Sequence, residues 1–95
     1  MGKIISVEPH EKTRKPMFKL KIDFGELGIK NAVAGIPEFY SADELEGKLV
    51  VAVINLEPKM VAGFLSECMT LGALDEGKFA LLLPDKEVKL GSKIY

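Results

Sequence analysis

The side chains that could do covalent chemistry are few in this 95-residue chain: one histidine, His10, and one cysteine, Cys68. A thiol and an imidazole brought together would make a nucleophile with its base. A lone cysteine inside an apolar run, however, reads as a small buried hydrophobe. One Cys and one His also fall short of the ligand set of a zinc site, and a single Cys excludes an internal disulfide. The chain has neither a Gly-rich phosphate loop nor a Gly-x-Ser-x-Gly elbow. The expectation is a non-enzymatic protein with no metal and no cofactor.

What remains is the chemistry of binding. The formal net charge of −1 hides an asymmetry: residues 1–21 carry six Lys or Arg against Glu8 and Glu11, a local +4, whereas residues 22–87 sum to −7. Arg14, Lys15, Lys19 and Lys21 form a basic strip on an acidic body, suited to steering a polyanion locally. The same strip also reads as an ordinary solvated loop and strand face. Phe39, Tyr40 and Phe64 can stack on a ligand or fill a core, and a small barrel needs aromatic area. Met60 and Met69 are adaptable side chains, at home in a core or at a permissive binding surface.

The elements that must carry these groups are mostly strands. "KIISVE" is a β-branched strand stopped at Pro9, and the polar segment "PHEKTRKP" between two prolines is a loop. In "MFKLKIDFG" the alternation is strict, with Phe18, Leu20, Ile22 and Phe24 on one side and Lys19, Lys21 and Asp23 on the other. Lys19 and Lys21 therefore share an outward face. "GELG" is a turn, and "IKNAVAGI" returns as the second arm of a hairpin. Ser41 with Glu44 three residues on is a capping box; Leu45 and the stop at Gly47 predict a helix of one to two turns. "KLVVAVINL" is apolar on both faces, as in the middle of a small closed sheet. The segment from Asn55 to Ala73 is apolar without a period, reading as neither helix nor strand until "CMTLGA". "GKFALLLP" is a further strand ended by Pro84, and the tail "EVKLGSKIY" has the pattern of one more. Five or six strands, one short helix and no βαβ crossover predict an all-β fold, a small Greek-key barrel of the OB type.

Length and composition suit a single domain over residues 1–95, with 47% hydrophobic and 28% charged residues. The longest apolar run, Leu49 to Ile54, is far shorter than the ~20 residues of a membrane helix. "MGKIISVEP" lacks the apolar core and cleavage site of a signal peptide, so a cytoplasmic location and no membrane partner are expected.

The stretch "NLEPKMVAGFLSECMTLG" carries a resemblance: an Asn at a strand end, a Pro three residues on, a Gly, then Ser-x-x-Met entering the next strand. With "RKPMFKLKIDFGELGIK" and "YSADELEGKLVVAVIN" in the same order, the chain resembles the tRNA-binding-domain family over nearly its full length, most nearly the branch of CsaA-like export-related chaperones. The resemblance implies an OB fold, no catalysis, a homodimer, and a ligand surface lined by the irregular apolar stretch. It implies that Asn55, Ser66 and Met69 contact RNA, and Lys59 remains as a cation in that segment. Asn55 and Ser66 could equally tie the loop's own backbone. Glu57, Met60 and Ala62 stand where tRNA-binding relatives have basic residues, and Cys68 where they have Gly, which should lower RNA affinity and its salt dependence. The resemblance also implies a lead-in segment before "GKI" that relatives use partly for dimer contacts, and a late start without it is the expectation here.

Two readings follow. In the first, tRNA binds at Asn55, Lys59, Ser66 and Met69 with the strip Arg14, Lys15, Lys19 and Lys21. In the second, unfolded or preprotein peptides bind an apolar pocket of Phe64, Met60 and Met69. For the homodimer, either Leu81 with Leu83 or Ala80 with Leu82 should meet the partner, along with Ile94 and Tyr95.

Overall fold

The alternating strand holds the core. In a computed structural model describing residues 1–36 and 39–95, β2 (Phe18–Asp23) turns Phe18, Leu20 and Ile22 inward, and Phe24 beyond its end is buried with them. β2 lies between β1 (Gly2–Pro9) and β3 (Ile29–Ala34), antiparallel to both, the second hairpin closing through a 3-10 turn at Gly25–Leu27. Burying these side chains together with Ile4, Ala32, Ala34 and Ile36 makes the centre of the barrel. β1 carries a bulge between Ile4 and Ser6, which leaves Ile5 exposed and bends the sheet.

α1 (Ala42–Leu45) is one turn with both reciprocal bonds of the predicted capping box, Glu44 N–H to Ser41 Oγ and Ser41 N–H to Glu44 Oε1. Leu45 is fully buried beneath it, and Gly47 at φ 88° ends it. The chain then pairs with β1 as β4 (Leu49–Val50) and with β8 (Met69–Thr70) as β5 (Ala52–Val53).

The expected continuous strand over residues 48–56 is thus two short ones. At Val51 the backbone leaves the β1 ladder: its N–H donates to Leu82 O and its carbonyl accepts from Leu71 N–H. The segment from Asn55 onward is also a correction. It contains a β-hairpin, β6 (Lys59–Val61) and β7 (Phe64–Ser66), joined by Ala62 at φ 47° and Gly63 at φ 87°. Two successive positive φ values are the requirement of a type I′ turn, and Ala-Gly is a weak signal for it. Three residues per arm leave too short a window for a period to show.

β7 and β8 close the barrel against β3, and side chains do part of the closing. Asn31 N–H donates to Glu67 Oε2 at 2.9 Å, Glu67 N–H returns to Asn31 O at 2.8 Å, and Val33 N–H donates to Ser66 Oγ at 3.2 Å. A second ribbon, β9 (Gly72–Asp75) with β10 (Lys78–Leu81), extends beyond the barrel. Of the leucines expected to pair by face, Leu81 is buried and Leu83 exposed, because the strand ends at Leu81 and alternation lapses there. Ala80 and Leu82 both face solvent. The tail expected to form a strand, residues 87–95, is irregular apart from a turn at Leu90–Gly91, and is fastened by Gly91 N–H to Met1 O.

Candidate nucleic-acid interface

Within the β6–β7 hairpin, Met60 faces Leu65 on one side, while Lys59–Ser66 and Val61–Phe64 are the cross-strand pairs of the other. Met60 is 64% and Leu65 37% exposed, so this side is an open apolar face. Val61, Phe64 and Ser66 are half-buried against the barrel.

His10 fixes where that hairpin sits. It is the buried polar residue at the end of β1, its Nε2 lies 2.8 Å from Val61 O, and its ring meets Phe64 edge-on with centroids 6.1 Å apart. Its backbone N–H donates to Met17 O, and Thr13 Oγ1 bonds both His10 O and Lys15 O. The proline-bounded loop bearing Arg14 and Lys15 is therefore tied at its base, with both cationic side chains exposed.

Lys19 brings the basic strip to the hairpin. Its ammonium stands 5.4 Å from the Phe64 ring centroid and 3.9 Å from Glu8 Oε2. A cation over an aromatic face is held by the ring quadrupole, and its remaining donors stay free for a ligand oxygen. Beside this pair lies an open cleft of about 420 Å³, lined by Glu8, His10, Lys12, Lys19, Phe64 and the turn Ala62–Gly63, among others. The cleft offers an apolar ring, two ammonium groups and two carboxylates. That set can take a ribose–phosphate unit with an unstacked base.

Other predicted residues stand apart from the cleft. Lys21 is exposed further along β2 and Met69 is 50% exposed on β8. Asn55 is exposed at the rim of a different, apolar cavity. Ser66 has its hydroxyl engaged within the fold, accepting from Val33 N–H and donating to Cys68 O at 3.4 Å. Phe39 and Tyr40 pack against the core; Phe39 meets Phe79 at 5.7 Å, and the Tyr40 hydroxyl accepts from Leu81 N–H. Cys68 is buried with its thiol toward Asn31 O, and burial, with the Glu67 carboxylate beside it, pushes its pKa up to about 11. It has different partners from His10. Among the described residues no group of three or more His, Cys, Asp or Glu side chains could hold a metal.

Sequence reasoning missed His10 as the hairpin's anchor, Glu67 as a barrel-closing side chain, and Lys12 at the cleft. Nothing in their spacing gives a signal, since each acts across a gap of many residues, 51 from His10 to Val61.

Comparison with known proteins gives a consistent family. The model described as "Putative tRNA binding domain" matches residues 1–93. The chain is similar to a methionine–tRNA ligase of Pyrococcus abyssi, 45% identical over 94 residues, covering 99% of this chain and 13% of that protein. A ligase of Methanosarcina acetivorans is 43% identical over 95 residues, again 99% of this chain and 13% of the relative. The chain thus spans about one eighth of the length of these relatives. Among solved structures it is similar to the CsaA chaperone protein of Picrophilus torridus, at TM-score 0.92 and 42% identity over 99% of this chain and 87% of that one. The MetRS-related protein of Pyrococcus horikoshii superposes at TM-score 0.88 and 35% identity, covering 99% and 85%.

Proposed function

The chain belongs to the tRNA-binding-domain family, and on that premise we propose that it binds structured RNA of the tRNA type and performs no chemistry on it. The observation that carries this reading is Lys19 standing over Phe64 at the lip of the cleft beside the hairpin turn. A fixed aromatic ring with an adjacent cation suits an unstacked base next to its phosphate, the mode by which proteins read exposed RNA loops and corners. Lys12, Arg14 and Lys15 extend the cationic approach from the adjoining loop.

An electrophoretic-mobility titration with total tRNA at low salt tests it. A shift should appear by about 10 µM protein, in the range of weak electrostatic binding, and Lys19→Ala and Phe64→Ala should each weaken it. No shift at that concentration, or full binding by both variants, would overturn the reading.

A second reading is supported by the open Met60–Leu65 face: an apolar peptide surface on the same hairpin. Suppressed aggregation of a denatured client, lost in Met60→Glu, would separate it from RNA binding. We also infer a homodimer through the β9–β10 ribbon, where Leu74, opposite Phe79, is 72% exposed and Leu82 and Leu83 are exposed past the end of β10. Light scattering should give twice the 10.4 kDa chain mass, reverting to one in Leu74→Glu.

A further inference from the structure

Carboxylates weaken a surface that meets phosphate, yet two of them, Glu8 and Glu11, line the cleft beside Phe64 together with Lys12 and Lys19. Among the described residues no amide or hydroxyl side chain lines it. His10 does, but it is buried and its Nε2 is taken up by Val61 O. The side-chain acceptors open to a ligand are therefore the two carboxylates, which when ionised accept hydrogen bonds and donate none.

The two are placed differently. Glu11 lies in the turn after β1, whereas Glu8 stands on β1 directly opposite Lys19 in the antiparallel register. Lys19 Nζ is 3.9 Å from Glu8 Oε2 and 5.4 Å from the Phe64 ring centroid, so the Glu8 carboxylate is one ammonium away from the ring. The Glu8 side chain is 67% exposed, and an ion pair so open contributes little to folding. When Lys19 swings out to a phosphate, the space over the ring and the carboxylate beside it are freed together.

We propose that this cleft selects guanine: the base lies on the Phe64 ring, Lys19 pairs with the adjoining phosphate, and Glu8 accepts both N–H donors of the base's Watson–Crick edge. The proposal rests on the RNA reading and specifies which nucleotide the cleft takes. Guanine alone among the RNA bases presents two neighbouring N–H donors on that edge, matched to the two oxygens of one carboxylate. Adenine and cytosine set a ring-nitrogen acceptor beside their amine, which meets the second oxygen lone pair to lone pair. Uracil's single N–H lies between two carbonyls. A ribose within a chain offers one 2′-hydroxyl, and a phosphate is repelled by Glu8 outright. The carboxylate thus works against indiscriminate polyanion binding and in favour of one base.

The test is a mobility titration of the 95-residue protein at low salt with a hairpin RNA of all-uridine loop, its central uridine replaced in turn by guanosine, 7-deazaguanosine, inosine or adenosine. Guanosine and 7-deazaguanosine should bind at least about tenfold tighter than adenosine, the discrimination of one bidentate pair. Inosine, which keeps the ring N–H and lacks the amine, should fall between. Glu8→Gln should remove the guanosine preference while the adenosine and uridine hairpins bind as well or better, because a charge that repels phosphate is gone. Glu11→Gln should keep the preference. Equal binding of the guanosine and adenosine hairpins, or a guanosine preference that survives Glu8→Gln or vanishes in Glu11→Gln, would overturn the role of Glu8 and leave RNA binding standing. So would total tRNA shifting while no hairpin does. No shift of any hairpin or of total tRNA at about 10 µM protein would overturn the RNA reading itself, and this proposal with it.

Discussion

Ser66 carries its hydroxyl between Val33 N–H and Cys68 O, so its first task is to hold β7 against β3. Ser66→Ala leaves the half-buried Val33 N–H without a partner and should cost about 1–3 kcal/mol, read as a lower denaturant midpoint at unchanged slope. An RNA contact by the same hydroxyl would appear as an additional loss of affinity at temperatures where the variant is fully folded. Cys68 gives a second prediction at this scale. Its thiol pKa is raised in the folded state, to about 11, by burial and then by Glu67. The folded protein therefore favours the protonated thiol: this contribution is complete below the ordinary thiol range and disappears as pH rises through about 11. Alkylation of Cys68 by iodoacetamide at pH 9 should be slow in native protein and fast in denaturant, and equal rates would contradict the burial.

At the scale of elements, the β6–β7 hairpin rests on a turn with little help from sequence. Gly63 sits at φ 87° with open space where a Cβ would go, so Gly63→Ala tests conformation without a clash. The expected loss is about 1–2 kcal/mol, the cost of a left-handed residue with a Cβ. Because the hairpin carries Phe64, the same variant should also weaken tRNA binding, measured by the mobility titration. The helical turn is the opposite case. Ser41 and Glu44 announce α1 in the sequence, and the bonds to Ser41 hold the Glu44 carboxyl below its ordinary range. Ser41→Ala removes the cap and should lower stability by about 0.5–2 kcal/mol.

For the whole molecule the deciding property is charge distribution. A basic amino-terminal fifth on an acidic body allows only a few phosphate contacts, so affinity for tRNA should fall with salt by a shallow slope. With contacts from Lys12, Lys19 and one or two neighbours, the log–log slope should be about −2 to −4, measured between 50 and 200 mM salt. A slope near zero would remove the cations from the interface. A slope much steeper would bring in Lys21, Lys59 and the rest of the outer face.

The sequence by itself determined the barrel's first three strands, the capped turn and the family, because each is written in short-range patterns. Strict alternation over Phe18, Leu20, Ile22 and Phe24 leaves one face to bury, and a register slip would expose all four. Only tertiary structure decided how the apolar stretch after Asn55 folds and what it meets. Its hairpin arms are three residues long, its position is set by a bond from His10 to Val61, and its closure depends on the Glu67 side chain replacing a backbone partner at Asn31. The break at Val51 is of the same kind, since Leu82, 31 residues away in the chain, supplies the acceptor that draws it from the β1 ladder. Such contacts have no local signature: they exist only once the barrel has brought distant segments within hydrogen-bonding distance.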